Sequence, residues 1–389
     1  FNLSDTIFMT VVSNVMDNPS AFWVVNSLFV FALSVFCAGV LIPQILLISF
    51  RKRLFDVPDE RKIHQGVVPR LGGIAFKPVV FFSVALALGL NMLLGYGQLL
   101  GNIGSESRPL AFGFCTIIML YLVGMADDLI GIRYRAKFAI QIICGLLVIA
   151  GGLWINNLHG LLFIHALPEW IGYPITLFAV VFIINAINLI DGIDGLASGL
   201  CGVAMLFYGL VFFIIGEYIY ALLAFATLGV LVPFFYYNVF GDPAKKNKIF
   251  MGDTGSLTIG MMTCILSLKL LDGFPVNPSM QQPNAFFLAY SPLIIPCFDV
   301  VRVYLHRVRN GKNPFLPDKN HIHHKMLAVG MRQRTVMIAI VLVSVCFTLC
   351  NILLSRYINV TLLLILDIFI WILGNLWLTR RIHIAHSKL

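Results

Sequence analysis

Apolar residues dominate this chain in runs of about 20, and short polar stretches separate one run from the next. A helix of that length crosses the hydrocarbon core of a bilayer, so each run predicts a membrane-spanning helix. The pattern predicts an all-α, polytopic integral membrane protein of one domain, 1–389, with about eleven transmembrane helices. No structure is predicted for residues 1–20. The predicted spans are 21–50, 74–96, 109–126, 136–156, 171–190, 196–215, 218–238, 255–272, 285–305, 335–355 and 359–379.

Composition excludes a soluble globular protein. The chain has 389 residues, of which 59% are hydrophobic and 12% charged, and its mean hydropathy is +0.91. A soluble domain carries about 25% charged residues. Nearly all of the eight cysteines lie in apolar runs and none forms a C-x-x-C pair, so neither a disulfide framework nor a thiolate metal site is predicted.

The distribution of basic residues predicts the orientation. A formal net charge of +9 is compatible with nucleic-acid binding, but in a membrane protein Lys and Arg first mark the cytoplasmic loops. Twenty-four of the 27 Lys and Arg residues fall in alternate loops: seven in 51–77, three in 126–137, three in 241–253, eight in 302–334 and three in 380–389. The N-terminus is therefore expected in the periplasm and the C-terminus in the cytoplasm. Because the positive charge is explained by this orientation, no nucleic-acid partner is expected.

The stretch 185–195, Asn-Ala-Ile-Asn-Leu-Ile-Asp-Gly-Ile-Asp-Gly, places two amides and two carboxylates in an apolar region. A carboxylate at the bilayer centre costs about 2.5–3.5 kcal/mol, so this stretch is expected at a helix mouth or a watery cavity. Asp191 and Asp194 are three apart, so on one helical turn they would share a face and hold a cation or a polar ligand. The alternative is a capping loop whose acids accept backbone N–H groups.

The other acidic motifs fall at the same face of the membrane. Asp127 and Asp128, and Asp253 between Gly252 and Thr254, lie at predicted cytoplasmic helix ends, so they can converge with Asp191 on one cleft. Adjacent residues on a helix point about 100° apart, so only one of Asp127 and Asp128 need face that cleft. Asp253 at a helix entrance could hold Mg²⁺ against a diphosphate. The alternatives are interfacial solvation for the pair and helix capping for Asp253.

Three histidines, His321, His323 and His324, lie in the most basic cytoplasmic loop, 306–334. A zinc site is disfavoured because a fourth ligand is missing and nearby cations would repel the metal, so a phosphate-binding role is predicted. These nearby cations are Arg302, Arg307, Arg309, Lys312 and Lys319.

Two cations keep two interpretations each. Arg302 follows Asp299 by three residues, so an intrahelical ion pair competes with a phosphate-binding role. Lys77 lies just inside the second predicted span, where its side chain can either extend to the cytoplasmic face or reach the cleft.

Taken together, these motifs resemble the polyprenyl-phosphate N-acetylhexosamine-1-phosphate transferase family over nearly the whole chain and in the same order. The form His-Ile-His-His is similar to the branch that starts O-antigen, enterobacterial common antigen and wall teichoic acid. The motifs that carry the resemblance are Asp59–His64, Pro69–Gly73, Asp127–Asp128, Asn185–Gly195, Met251–Ser256 and His321–His324.

The resemblance implies a multi-pass enzyme of the bacterial inner membrane with its active site on the cytoplasmic face. It would transfer an N-acetylhexosamine 1-phosphate, foremost N-acetylglucosamine 1-phosphate, from a UDP-sugar to undecaprenyl phosphate and release UMP. The cofactor implied is Mg²⁺, with Mn²⁺ as an alternative. A homodimer is compatible with the resemblance. The peptidoglycan phospho-N-acetylmuramoyl-pentapeptide transferase is the alternative activity.

The resemblance also implies roles for single residues. Asp127, Asp128 and Asp253 are the expected catalytic residues, with Asp127 or Asp128 deprotonating or positioning the lipid phosphate. The expected metal ligands are Asp253, Asp128 and Asp191. The expected substrate-binding residues are Asn185, Asn188, Asp191, Asp194, Asn238, His321, His323, His324, Arg302, Lys137, Arg133 and Arg135.

Two other classes of protein were weighed. A secondary transporter would carry charges near mid-span and related halves, whereas here the acids gather at one face and no repeat is visible. A scaffold that binds anionic lipid would explain the basic loops but not the aspartates.

The ninth predicted span, 285–305, should be bent or broken. Pro292 and Pro296 each remove a backbone donor and crowd the preceding turn. The bend would open a side groove for a polyprenyl tail, and the following loop would bring its histidines back to the acids.

Overall fold

The long apolar runs form helices because a bilayer offers no water to the backbone, so each N–H and C=O must bond within its own segment. A computed structural model describes residues 19–54, 68–97, 103–273, 284–313 and 320–386. Within those ranges there are thirteen α-helices and no β-strand, which confirms the all-α prediction. The helices are α1 (Pro19–Lys52), α2 (Phe76–Leu93), α3 (Ile103–Ile130), α4 (Tyr134–Ala150), α5 (Glu169–Ile190), α6 (Leu196–Ile215), α7 (Tyr218–Val239), α8 (Gly252–Leu271), α9 (Ala285–Tyr290), α10 (Ile294–Arg309), α11 (Ile322–Ala328), α12 (Gln333–Leu354) and α13 (Val360–His386).

Ten segments of the described chain are long and apolar enough to cross a membrane. The predicted span 136–156 is not among these ten segments. The helix there, α4, has only 17 residues, because two glycines follow Ala150. Among the described residues, ten helices of at least 18 residues therefore stand against the predicted count of about eleven. Helix α4 nevertheless runs between the same two levels as α3. Lys137 contacts Asp127 at one end, and at the other the carbonyl of Ala150 accepts from the Arg108 guanidinium at 2.9 Å.

Helix α8 lies at the centre of the bundle and is buried along its whole length. Helices α3 and α5 pack along it, and α9 covers it near its C-terminal end. Two of its hydroxyl side chains bond within the helix, since Thr258 and Thr263 each donate to the carbonyl four residues earlier. The first turn of this helix, which carries Asp253, is therefore the point on which the surrounding segments converge.

Glycines let neighbouring backbones approach this first turn. A Cβ on Gly73 would lie 2.0 Å from the nitrogen of Gly255, and a Cβ on Gly124 of α3 would lie 2.6 Å from the Cα of Thr254. No side chain fits at either position, because both distances are far below van der Waals contact. The first turn of α8, which we call its mouth, is thus in close contact with the backbone of two other segments.

An ion-pair cluster holds the opposite end of α8. The Lys269 ammonium lies 2.9 Å from Glu106 Oε1 and 3.9 Å from Glu217 Oε1. The Tyr220 hydroxyl donates to Glu106 Oε2 at 2.7 Å, and its ring centroid lies 5.1 Å from the Lys269 ammonium. Here the protein surrounds an almost fully buried lysine with both carboxylates and an aromatic ring.

The ninth span is interrupted, as the sequence predicts. Helix α9 ends at Tyr290, a 3₁₀ turn covers Ser291–Leu293, and α10 begins at Ile294. Pro292 has no N–H to donate, which explains the change from α to 3₁₀ hydrogen bonding at this position, while Ala285–Arg309 remains one helical segment. Beside the break a small apolar pocket is lined by side chains of α5 and α6 and by Pro292 and Pro296.

One acid departs from the predicted clustering at a single face. Asp367 is 2% exposed inside α13, and its Oδ2 accepts from the Asn351 amide of α12 at 2.9 Å. The sequence argument against mid-span charges overlooked this residue. Its partner on a neighbouring helix marks it as a contact between the last two helices, away from the mouth of α8.

We predict that Gly124→Ala destabilises the protein by about 1–3 kcal/mol, because the new methyl would overlap the backbone of α8. Gly89→Ala is the matched control, since it also lies inside a membrane helix but a Cβ there meets nothing within 4 Å. Thermal unfolding of both variants in the same detergent measures the difference. Equal melting temperatures would mean that the approach of α3 to α8 is looser than described.

Candidate active site

Asp128 caps the first turn of α8 from the end of α3. Its Oδ1 accepts the Asp253 N–H at 2.8 Å, and its Oδ2 accepts the Thr254 N–H at 2.8 Å and the Thr254 hydroxyl at 2.5 Å. The first N–H groups of a helix have no partner within the helix, and the helix dipole favours a negative charge there. Asp128 therefore fixes α3 onto the mouth of α8.

The segment Pro69–Gly73 fixes the loop that leads into α8. The Phe250 N–H donates to the carbonyl of Pro69 at 2.8 Å. In return the Gly72 N–H donates to Phe250 and the Gly73 N–H to Met251, both at 3.0 Å. This part of the predicted motif thus forms a short backbone ladder that positions the residues before Asp253.

Lys137 of α4 connects two carboxylates. Its ammonium lies 2.9 Å from Asp127 Oδ2 and 2.9 Å from Asp253 Oδ2. The other oxygen of Asp127 accepts the Ile132 N–H at 2.6 Å, and the other oxygen of Asp253 accepts the Asn188 amide at 2.7 Å. Residues predicted from three separate stretches therefore share one hydrogen-bonded chain across the cleft.

The loop between α5 and α6 is held from the side by the loop that follows α7. Asp194 Oδ2 pairs with the Lys248 ammonium at 2.5 Å. Asn238 is buried; its oxygen accepts the Gly195 N–H at 2.7 Å and its amide donates to the carbonyl of Ile249 at 2.8 Å. In this structure Asn238 and Asp194 position the loop, while their predicted contacts with substrate stay predictions.

Asp191 faces the cleft without a hydrogen-bond partner among the described residues. The residue is exposed to the cleft. Desolvation by the neighbouring protein, followed by the charges of Asp253 and Asp194, raises the pKa of Asp191 to about 7. The cleft therefore concentrates negative charge that a bound cation would relieve.

The donor set suits a divalent cation held jointly with a ligand. Among the described residues no three His, Cys, Asp or Glu side chains form a ready-made metal cage, and the eight cysteines are all free thiols. Mg²⁺ commonly binds through one or two carboxylates and completes its shell with water and substrate phosphates. Asp191 supplies a carboxylate without a hydrogen-bond partner among the described residues. Both oxygens of Asp253 accept bonds from Lys137 and Asn188, and both oxygens of Asp128 accept bonds from α8, so a cation would replace Lys137 at Asp253.

Asp299 of α10 anchors the histidine segment. It is fully buried, and its Oδ2 contacts His321 Nδ1 at 2.8 Å. Its Oδ1 accepts the Ile322 N–H at 2.9 Å and the Arg302 guanidinium at 2.7 Å, so the intrahelical ion pair that the spacing allows is present. Arg302 also donates to the carbonyl of Asn320. One buried carboxylate thus sets the start of α11.

His323 brings this segment to the cleft. Its ring lies against Gly192, where a Cβ would be 2.2 Å from Nε2, and its ring centroid is 4.2 Å from that of His324. Neither ring nitrogen of His323 has a hydrogen-bond partner, although the residue is 1% exposed. Burial, together with the neighbouring histidines, lowers the pKa of His323 to about 3, so the imidazole is neutral at physiological pH. The predicted return of this loop to the acidic loop at Asp191 is confirmed.

Other predicted residues lie outside this constellation. Asn185 donates to Gln141 of α4 at 2.6 Å and to its own helix, so it links α4 and α5 below the cleft. Arg133 and Arg135 are exposed, and the Arg135 guanidinium lies over the ring of Tyr134. Substrate-binding roles for these residues stay predictions. The motif 59–64 and Lys319 fall outside the described residues.

The sequence analysis missed several residues that shape the site. Thr254 and Gln141 gave no signal because hydroxyls and amides are common in membrane helices as contacts between helices. Asp299 was noted only as a partner for Arg302, although a buried acid one short loop from three histidines could have been paired with them.

Comparisons with known proteins show which family the chain resembles. Residues 110–271 match the model of glycosyl transferase family 4. The chain is 30% identical over 353 residues, 89% of this chain and 90% of the other, to a probable undecaprenyl-phosphate N-acetylglucosaminyl 1-phosphate transferase of Bacillus subtilis (strain 168). It is 31% identical to undecaprenyl-phosphate alpha-N-acetylglucosaminyl 1-phosphate transferases of Yersinia pestis, over 76% of each chain, and of Escherichia coli (strain K12), over 75% of this chain and 74% of the other.

We predict that Asp128→Asn lowers stability by about 1–3 kcal/mol, because the amide nitrogen cannot accept the N–H groups of α8. Asp127→Asn is the matched neighbour; it should cost less than about 1 kcal/mol, because it loses only a partly exposed ion pair. Thermal unfolding in detergent separates the two. If Asp127→Asn were the more damaging change, the assignment of Asp128 as the cap would be wrong.

A pH-dependent stability should follow from His323. The folded protein keeps this imidazole neutral down to about pH 3, while the unfolded chain takes up a proton near pH 6.5. Its contribution is therefore fully present above pH 6.5 and is lost as the pH falls from 6.5 towards 3. Between pH 7.5 and 5, the melting temperature of the wild type should drop more than that of His323→Gln, which cannot titrate. Parallel losses would contradict a buried, neutral His323.

Proposed function

Because this chain belongs to glycosyl transferase family 4, together with the undecaprenyl-phosphate N-acetylglucosaminyl 1-phosphate transferases, we propose that it transfers N-acetylglucosamine 1-phosphate from a UDP-linked donor to undecaprenyl phosphate. An oxygen of the lipid phosphate bonds to the phosphorus that carries the sugar. The bond from that phosphorus to the bridging oxygen breaks, and UMP leaves with the electron pair. The product is a lipid-linked sugar diphosphate.

The observation that best supports this proposal is the position of Lys137 between Asp127 and Asp253. Two anionic substrates must approach each other, so their charges have to be neutralised at the reacting phosphates. A lysine held between two carboxylates keeps a positive charge at the mouth of α8 and can transfer its hydrogen bonds to phosphate oxygens when substrates enter. Asn188 orients Asp253 from the neighbouring helix.

Asp253 and Asp191 are the residues proposed to hold Mg²⁺, or Mn²⁺, together with the diphosphate. The bound cation would supply Lewis-acid stabilisation of the developing charge. The lack of a hydrogen-bond partner at Asp191 leaves both of its oxygens available. Asp128 fixes the backbone that carries Asp253, and its predicted role as a third ligand stays a prediction.

The two adjacent aspartates have different proposed tasks. Both oxygens of Asp128 are occupied by donors of α8, so Asp128 positions the site. Asp127 is partly exposed, and its Oδ2 contacts the mobile ammonium of Lys137 rather than a helix backbone, so we assign to Asp127 the task of positioning, or taking a proton from, the lipid phosphate.

The hydrophobic tail of the acceptor is proposed to enter beside the broken ninth span. A polyprenyl chain cannot approach from water, so it needs an opening within the bilayer. The apolar pocket at Pro292 and Pro296 is a small, buried gap in the packing at the last turn of α5, next to the loop that carries Asp191. A tail that widened this gap would remain in lipid while its phosphate reached the cleft.

The enzyme is proposed to lie in the bacterial inner membrane with the cleft in the cytoplasm, where UDP-sugars occur. The basic loops gather at the cleft end of the helices, which fits a periplasmic N-terminus and a cytoplasmic C-terminus. The step would begin the synthesis of a cell-surface polysaccharide. Homodimer formation stays a prediction.

We expect purified protein to release UMP from UDP-N-acetylglucosamine only when undecaprenyl phosphate and Mg²⁺ are both present. Asp253→Asn should lower turnover by about two orders of magnitude at saturating Mg²⁺, because an amide is a poor ligand for a hard cation. Asp242→Asn is the matched control, an exposed acid in the loop before α8 whose carboxylate only caps the short turn Pro243–Lys245.

UDP-N-acetylgalactosamine and UDP-N-acetylmuramoyl-pentapeptide serve as the competing donors in the same assay. Faster release of UMP from the pentapeptide donor would replace the proposed activity by the peptidoglycan one. Full activity of Asp253→Asn, or activity in excess chelator, would remove Asp253 from the proposed metal site.

A further inference from the structure

Lys77 lies inside the second membrane span without a carboxylate partner. Its ammonium is 5.1 Å from the ring centroid of Tyr121 and 5.5 Å from that of Phe81. Among the described residues, Lys77 contacts these two rings, and no acid lies within ion-pair distance of its ammonium. The Tyr121 hydroxyl is engaged elsewhere, since it donates to the carbonyl of Ile74 at 3.1 Å.

The opposite end of the bundle shows how this protein neutralises a lysine in a span. Lys269 has the same ring contact, 5.1 Å from the centroid of Tyr220, and in addition lies 2.9 Å from the carboxylate of Glu106. Lys77 has the aromatic contact and lacks the anion. Charged side chains in a span normally pair or face water, and no acid of the described residues pairs with Lys77, so a bound ligand can supply the anion.

The surroundings of Lys77 open towards lipid. Helix α2 packs mainly on α1 and α7, and α3 packs mainly on α8 and α4, so α2 and α3 contact each other less closely; the boundary between them at Lys77 is here called the notch. The rings of Phe81 and Phe114, with centroids 4.9 Å apart, form its inner wall. Pro78 and Phe82 beside it are exposed, Phe82 by 52%. Lys77 itself is half-buried.

The level in the membrane matches a lipid headgroup. Lys77 is the second residue of α2 and follows by four residues the glycine that contacts the first turn of α8. At about 1.5–2 Å of rise per residue it lies about 6–8 Å below the mouth of the cleft. A lysine side chain at this depth can reach the phosphate layer of the nearer leaflet.

We propose that Lys77 and the notch between α2 and α3 form a binding site for the phosphate of an anionic phospholipid. One ammonium matches the single negative charge of a phosphodiester. Lys77 would repel the ammonium of a zwitterionic headgroup, and no carboxylate of the described residues lies beside it to bind that ammonium. A phospholipid whose phosphate is esterified to an uncharged alcohol such as glycerol is therefore favoured. No residue of α2 or α3 lines the pocket at Pro292, so the site is separate from the proposed route of the acceptor tail.

The test uses the full-length protein, purified in a neutral detergent, and native mass spectrometry with phosphatidylglycerol as the probe. Lys77→Met should weaken the tightest phosphatidylglycerol about fivefold, the factor expected from one basic side chain at a lipid phosphate. Lys77→Arg should retain most of the binding. Lys52→Met is the matched control, because Lys52 is an exposed lysine at the same end of the bundle and its loss should leave the tightest lipid unchanged.

Phosphatidylcholine and undecaprenyl phosphate complete the set of probes. Phosphatidylcholine should bind equally to wild type and Lys77→Met. If undecaprenyl phosphate displaced phosphatidylglycerol and lost its own affinity in Lys77→Met, the notch would belong to the acceptor and the phospholipid proposal would be wrong. Unchanged phosphatidylglycerol binding in Lys77→Met would mean that the two rings alone hold the lysine.

A second measurement does not depend on the folding of a variant. Wild-type protein in vesicles with phosphatidylglycerol that carries a photoreactive headgroup should crosslink to α2 and α3 near residues 77–82 and 114–121. Crosslinks confined to other helices would overturn the proposal. Neither measurement uses enzyme activity, so a failure here is separate from a failure of the proposed transfer reaction.

Discussion

A helix buried along its whole length in a membrane protein must have its first N–H groups satisfied by protein, and in this chain Asp128 does so for α8. The rest of the cleft depends on this contact. It ties the end of α3 to the backbone of Asp253 and so places Asp127 one residue away from the same point. Lys137 can then reach both carboxylates from the next helix. Without the cap, three donors would be left unsatisfied where water is scarce.

Much of the architecture could be predicted because a bilayer leaves few options to the backbone. Runs of about 20 apolar residues become helices, and prolines within them mark breaks, as Pro292 does. The helix α4 shows the limit of this argument. Its apolar run continues past Ala150, but the two glycines after it end the helix earlier than hydrophobicity alone indicates. Asp367 shows another limit, since its partner Asn351 lies on a different helix and cannot be found from spacing.

The residues of the site could be found from the sequence, whereas their division of tasks could not. An acid or amide in an apolar run is visible in one dimension, and Asp127, Asp128, Asp191 and Asp253 stand out for that reason. Whether a carboxylate accepts backbone N–H groups or faces the cleft depends on which helix end lies opposite it. That is a property of packing. Asn238 illustrates the point, because its two hydrogen bonds join loops that are distant in sequence.

The glycine contacts at the mouth of α8 also bear on how such a protein changes over evolution. Gly73 and Gly124 meet the backbone of α8, and backbone atoms are the same whatever the side chains of that helix are. Contacts of this kind do not need compensating substitutions elsewhere. The lipid-facing surfaces, by contrast, require only that residues be apolar. A lineage can therefore replace most of its sequence while the cleft keeps its shape, which is compatible with 30% identity to a relative over 353 residues.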